Sequence, residues 1–313
     1  MKQTSLLACA TVIALFSLVS FKQADAADAP APVPAAAPAP AVVPVPGVPV
    51  PETGPINTGL RVFTCAHSFH EFIPKALVDI AQTAGIQGHT IVGVSLLGGS
   101  PAFRHWNIPD DKNEAKKALI AGNVDVLTLS CMAHPDDGIA KFAKLGYEHN
   151  PNIRVTIQKL WIPQDRWPFV PRINQSNLDF NKSTIDDLRK AYDPYSKEMN
   201  DYVAALNKSL GKQVVFVVPD GAATIALREK ILAGTAPGLK QQSDLFADWW
   251  GHPRGPLMLL SSYCHYAVIY RRSPVGLPPP PSKVKLDKGL VLLIQQLAWD
   301  AVIHDPMTGV TGN

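Results

Sequence analysis

The segment Leu60-Arg-Val-Phe-Thr-Cys-Ala-His-Ser-Phe-His70 passes from a short β-type run into the entrance of a helix, and the rest of the architecture can be read outward from it. Downstream, Ile73, Leu77, Ile80 and Ala84 recur every three or four residues between Phe72 and Ala84, which is helical spacing. Pro74 suits the first turn of that helix and Gly85 its C-terminal stop. The alternation then repeats. His89–Leu97, Asp125–Cys131, Ile153–Ile162 and Lys212–Pro219 read as strands, and Asn113–Ala121, Gly138–Leu145 and Ala222–Ala233 as helices. A longer amphipathic stretch places Ile185, Leu188, Tyr192, Met199, Tyr202, Leu206 and Leu210 on one face, and Leu257–Tyr270 is a strongly apolar helix. Strands that alternate with helices need crossover connections, so the expected class is α/β: three layers, with a mostly parallel sheet covered on both faces. Such sheets place their sites at the carboxyl ends of the strands, which directs attention to the turn Cys65–His70.

The part before this segment has a different character. Lys2, the apolar run Leu6–Phe21 and the small-x-small signature Ala24-Asp25-Ala26 read as a signal peptide over residues 1–26, so the chain is expected to be exported, to the periplasm or beyond. Residues 27–57 are almost entirely Ala, Pro and Val, and ten of the 29 prolines fall between Ala27 and Pro55. Proline fixes φ and removes donors, so an extended spacer is expected, either a plain linker or an envelope attachment. The globular part is then 58–313 and is read as one domain, with 278–313 forming a Pro-rich connection (Pro278–Pro281) and a final amphipathic helix carried by Leu286, Leu290, Leu293, Leu297 and Ala301. The net charge of +3, or +2 once Lys2, Lys22 and Asp25 leave with the signal, lacks the concentrated basic character of a nucleic-acid binder.

Ser68 at the first strand end is the candidate nucleophile, because its hydroxyl would stand above the sheet and its N–H near a helix N-terminus; helix capping is the plainer role for a serine there. Far along the chain, Asp248-Trp-Trp-Gly-His252-Pro precedes the apolar helix. With this block in view, the sequence resembles the SGNH (GDSL-type) serine hydrolases, exported bacterial branch. The first family block corresponds to Val62-Phe-Thr-Cys-Ala-His-Ser68, the glycine block to Leu97-Gly-Gly-Ser100, and the last to Asp248 and His252. The resemblance implies a flavodoxin-like sheet and a serine esterase acting without a cofactor. It assigns Ser68 as nucleophile, His252 as base, Asp248 as its orienting acid, and an oxyanion hole made by the N–H groups of Ser68 and of Gly98 or Gly99.

The chain departs from the family pattern at three places. Ala66 and His67 stand where the family has Gly and Asp or Asn; Asp248 and His252 are four apart rather than three, with Asp244 as an alternative acid; and no Gly-x-Asn-Asp follows Asp125–Cys131, which leaves Ser130 as a replacement donor only if its hydroxyl points inward. His67, His70, His105, Trp106 and Trp161 are expected to line the substrate pocket, and the aromatic group Trp161–Phe169, with Trp249 and Trp250, suits either a sugar ring or a plain cover on the sheet end. A metal held by His67, His70 and His134 is the alternative to a polar pocket lining, and no metal is assigned. Cys65 and Cys131 would end adjacent strands in a 2-1-3-4-5 sheet, as a bridge or as buried free thiols. Two functions follow. One is an esterase that removes acetyl or other small acyl groups from carbohydrate, with an acyl ester or acetylated polysaccharide as substrate. The other is a catalytically weak protein of the same fold that binds glycans or occupies the envelope.

Overall fold

A computed structural model describes residues 54–132, 134–166, 178–281 and 286–312. The expected signal segment, the spacer up to residue 53, and Trp167 and Phe169 lie outside the described residues. Five strands, β1 (Arg61–Ala66), β2 (Thr90–Leu96), β3 (Val126–Ser130), β4 (Arg154–Gln158) and β5 (Val215–Val218), form one parallel sheet in the order β2-β1-β3-β4-β5. The chain steps outward from β1 to β2 and then returns across β1 to β3. The sheet therefore reverses its winding between β1 and β3, and the connections leave a crevice above that point.

The helices are α1 (Ile73–Thr83), α2 (Ala102–Trp106), α3 (Glu114–Ile120), α4 (Asp137–His149), α5 (Ile185–Leu210), α6 (Asp220–Leu232), α7 (Gly255–Tyr270) and α8 (Lys288–His304). Alternate strand residues face opposite layers. Val62, Val126 and Val218 join the core made with α1, α6, α7 and α8, while Phe63, Cys65, Leu127, Leu129, Val155 and Ile157 join the one made with α3, α4 and α5. The result is the three-layer α/β/α sandwich that the alternating pattern implies. Each large apolar side chain buried here contributes about 1.5–3 kcal/mol relative to exposure.

Three details differ from the sequence reading. The buried stripe of α5 runs through Leu188, Tyr192, Tyr195, Met199, Val203 and Asn207, so Ile185, Tyr202, Leu206 and Leu210 fall to its flanks. Asn207 belongs to the stripe because its carboxamide serves the free edge of β5: Oδ1 accepts from the N–H groups of Val214 and Val215, and Nδ2 donates to the Val215 carbonyl. The C-terminal tail continues this cover, with the Val217 N–H donating to the Met307 carbonyl. Second, α8 packs on α7 and α6 rather than on the sheet, and α7 is consequently buried on nearly every side. Third, the short helix α2 was not expected, since five residues carry no periodicity. It is placed by Asp136, which caps both α4 and the Ala102 N–H, and by Gly138, where a Cβ would lie 2.3 Å from the Phe103 backbone nitrogen. Among the described residues no helix is long and apolar enough to cross a membrane.

Candidate functional site

From Val62 to His70 every residue is buried except Ser68. The strand end delivers that one side chain to the crevice, where Ser68 Oγ lies 2.8 Å from His252 Nε2. On the other side of the ring, His252 Nδ1 donates to Asp248 Oδ2 at 2.6 Å. With the Nδ1 proton given to Asp248, a neutral imidazole presents its Nε2 lone pair to the serine hydroxyl, the tautomer a general base requires.

The four-residue spacing between Asp248 and His252 is accommodated by a closed turn. Asp248 Oδ1 accepts from the backbone N–H groups of Trp250, Gly251 and His252, and the Ala247 N–H donates to the His252 carbonyl. Gly251 sits at φ +92°, a conformation that suits glycine, and this lets one extra residue fold away while the carboxylate still reaches the ring. Partial burial alone would raise the Asp248 carboxyl, but the hydrogen bonds from the His252 side chain and backbone outweigh it and hold the group below the usual carboxylate range. Asp248 is therefore ionised at neutral pH.

A second layer of contacts holds the turn against the sheet. The Trp161 indole N–H donates to the Gly251 carbonyl at 2.9 Å, Trp161 stacks on Phe69 with centroids 5.2 Å apart, and the Phe69 ring meets His252 edge-on at 4.9 Å. Trp161 is only 3% exposed, so it braces the histidine loop and presents no open face for a sugar. Sequence reasoning passed over Phe69, although its position directly after the serine was the available signal.

Several residues expected to line the pocket are instead buried in the scaffold. His67 is 2% exposed, with Nδ1 accepting from the Phe69 N–H and Nε2 donating to the Cys131 carbonyl; burial pushes its pKa down to about 4. His70 is fully buried between Gln158 and Thr128, and burial holds it well below the ordinary histidine range. His105 is buried between Ser95 and Ser100, donating from Nε2 to a Ser100 hydroxyl that itself donates to the Leu97 carbonyl; burial lowers it to about 4. Its task is to hold the turn carrying Gly98 and Gly99. Trp106 packs edge-on against Phe142 of α4 and under the Lys116 ammonium, which commits its ring to the helix layer.

The candidate oxyanion donors are placed unequally. Gly98 and Gly99 follow directly from the bond between the Leu97 N–H and the Ala66 carbonyl, so their turn runs beside the serine turn, and both are exposed. Ser130 is 1% exposed, and its oxygen accepts from the His67 N–H at 3.0 Å, which ties β3 to the serine turn. Asp244 Oδ2 accepts from the Lys240 and Gln241 N–H groups, a capping role, and the acid on His252 Nδ1 is Asp248. His134 is largely exposed beside Glu198, so it does not join His67 and His70, and among the described residues no cluster of three metal-ligating side chains occurs. Cys65, Cys131 and Cys264 are free and buried, and burial pushes the Cys65 and Cys131 thiols up, away from nucleophilic character.

Two buried polar residues that support the site from below are not legible as such in the sequence. Gln158 closes β4 and Asp220 opens α6, and they meet beneath the serine turn. The available signal was a polar side chain at the carboxyl end of an otherwise apolar strand run, Val155-Thr-Ile-Gln158, and another directly after Val215–Pro219.

No family model matches the sequence, and no curated protein matches it. Among solved structures, the fold is similar to that of a DUF4886 family protein from Bacteroides uniformis, at 15% identity over 78% of this chain and 95% of that one, with a TM-score of 0.51. Also matched are "a putative SGNH hydrolase from Slackia heliotrinireducens" (16% identity, 66% and 97% of the two chains, TM-score 0.38) and a "putative GDSL-like lipase from Parabacteroides merdae" (11%, 68% and 96%, 0.39). At these identities the first likeness concerns the fold alone.

Proposed function

We propose that this protein is a serine ester hydrolase in which Ser68, His252 and Asp248 act as nucleophile, general base and orienting acid. The observation that carries this reading is the unbroken hydrogen-bonded chain from Ser68 Oγ through both nitrogens of His252 to Asp248. Ser68 attacks the ester carbonyl while His252 Nε2 takes the hydroxyl proton, and ionised Asp248 stabilises the imidazolium that results. The N–H groups of Ser68 and of Gly98 or Gly99 receive the developing oxyanion, each such donor being worth ~3 kcal/mol. Collapse expels the alcohol, protonated by His252, and a water molecule activated by the same nitrogen then releases the acid.

Small acyl esters of exported carbohydrate are the substrate class we favour. Supporting this are the signal-like N-terminus, the tilted Trp249–Trp250 indole pair beside Asp248, and a shallow depression of about 410 Å³ bordered by Phe180, Asn181, Ser243, Asp248, Trp249 and Arg254. The spacer before residue 58 would then place the domain at a distance from the envelope. The burial of Ser130, only 1% exposed, favours a second reading, a weak enzyme that mainly binds glycans, because a hydroxyl closed off from the crevice leaves the oxyanion with one donor fewer.

Hydrolysis of p-nitrophenyl acetate by the purified chain, beside Ser68→Ala and His252→Ala, separates the two. The esterase reading expects each variant to lose at least about 10⁴-fold in kcat. Equal inactivity of all three proteins, with retained binding to acetylated polysaccharide, would establish the second.

A further inference from the structure

We infer that Gln158, held in one orientation by Asp220, is a positioning residue for Ser68; this rests on the serine-hydrolase reading above. Gln158 is fully buried at the end of β4, one strand removed from β1. Its Nε2 donates to the Phe69 carbonyl at 3.0 Å and to Asp220 Oδ2 at 2.9 Å, and its Oε1 accepts from His70 Nδ1 at 3.1 Å. Carbonyl and carboxylate oxygens only accept, so both amide protons are committed and the oxygen end must face His70. His70 in turn carries its proton on Nδ1, which leaves Nε2 without one in its 3.0 Å contact with the Thr128 hydroxyl, whose oxygen also lies 3.1 Å from that of Thr64. Asp220 is itself fixed by the Ser261 hydroxyl of α7, with His265 Nε2 3.7 Å away.

The consequence is local. The residues gripped are Phe69 and His70, the two that follow Ser68, and Ser130 grips His67, the one before it. Between Val62 and His70 Ser68 alone leaves the buried layer, so its Oγ is located by fixing its neighbours on both sides, and His252 is the partner on its hydroxyl among the described residues. Asp220 acts one step further away, since exchanging the amide ends of Gln158 would aim its single oxygen at both the Asp220 carboxylate and the Phe69 carbonyl.

The test uses the full chain. The kcat and KM for p-nitrophenyl acetate are measured for the wild type, Gln158→Met, Asp220→Asn and Asp220→Leu, each checked for a cooperative unfolding transition, and long-range ¹H–¹⁵N spectra of the histidine side chains are recorded alongside. Gln158→Met should lower kcat about 100-fold with KM within about threefold, as expected for a misplacement on the order of 1 Å. Asp220→Asn keeps an acceptor and should stay near wild type, whereas Asp220→Leu should resemble Gln158→Met. In the wild type, His70 should be neutral and Nδ1-protonated, and should lose that state in Gln158→Met. A folded Gln158→Met with wild-type kcat, or equal kcat in the two Asp220 variants, overturns the inference. If Gln158→Met does not fold, the Asp220 pair decides. If the wild type shows no Ser68-dependent turnover, the esterase reading falls and the histidine spectra decide alone: loss of Nδ1 protonation in Gln158→Met (or in Asp220→Leu if Gln158→Met does not fold) supports Gln158 as organiser of the turn, and an Nε2-protonated or unaltered His70 overturns it.

Discussion

His252 and the trio His67, His70 and His105 occupy the same end of the same sheet, yet they live in different media. The His252 side chain is 35% exposed and touches Ser68 and Asp248, while the other three are 2% exposed or less and touch main-chain carbonyls, hydroxyls and one carboxamide. Burial makes the charged form of an imidazole costly, so the buried three act as fixed neutral connectors with one donor and one acceptor each. Access to water separates the residue that can exchange a proton from those that hold loops. The polar layer beneath the rim locates three turns, those of the serine, the glycines and, through Trp161, the histidine itself.

If the rim is chemical and the layer structural, substitutions in the two should fail differently. Asp248→Asn leaves the rim's shape but presents the wrong partner to His252 Nδ1, so kcat should fall about 10³–10⁴-fold with the unfolding midpoint nearly unchanged. A comparable loss of stability instead would make Asp248 a scaffold residue and erase the contrast.

The layer should announce itself through acid. His67 and His105, at about 4 in the folded state, and His70, held well below the ordinary histidine range, take up protons near 6.5 once unfolded. Below that value the unfolded chain binds more protons than the folded one, so stability rises with pH between about 4 and 6.5 and is level above. Urea unfolding should show a loss on the order of 5 kcal/mol from pH 7 to pH 5, about 2 kcal/mol for each ring. A flat profile over that range would mean that these rings are not sealed from water.

Next in size, His105→Leu removes the partner of the Ser95 and Ser100 hydroxyls and should cost about 2 kcal/mol of stability while Ser68 keeps its partner. Because the glycine turn is held by this ring, kcat should drop modestly as well, and an unchanged kcat would detach Gly98 and Gly99 from the oxyanion. The smallest effect is expected for Gly251→Ala. A Cβ at φ +92° should cost about 1 kcal/mol and loosen the Asp248–His252 turn, read as a slightly lower melting temperature and a lower kcat.

Much of this architecture follows from the order of residues alone. Apolar runs of period two and 3.6 specify strands and helices locally, so the parallel α/β class and the placement of Ser68 after the first strand could be read directly. The resemblance of Asp248-Trp-Trp-Gly-His252 to a hydrolase block named the partners, since a motif confined to one turn keeps its geometry in its spacing. What the chain order left open was the side chains' surroundings. Whether His67, His70, His105 and Trp161 face a ligand or a neighbour depends on Gln158, Ser95, Ser100 and Gly251, which come from other segments of the chain. Burial is a property of the packed whole. A histidine looks identical on paper in either medium, and only the tertiary structure decides which of them meets water.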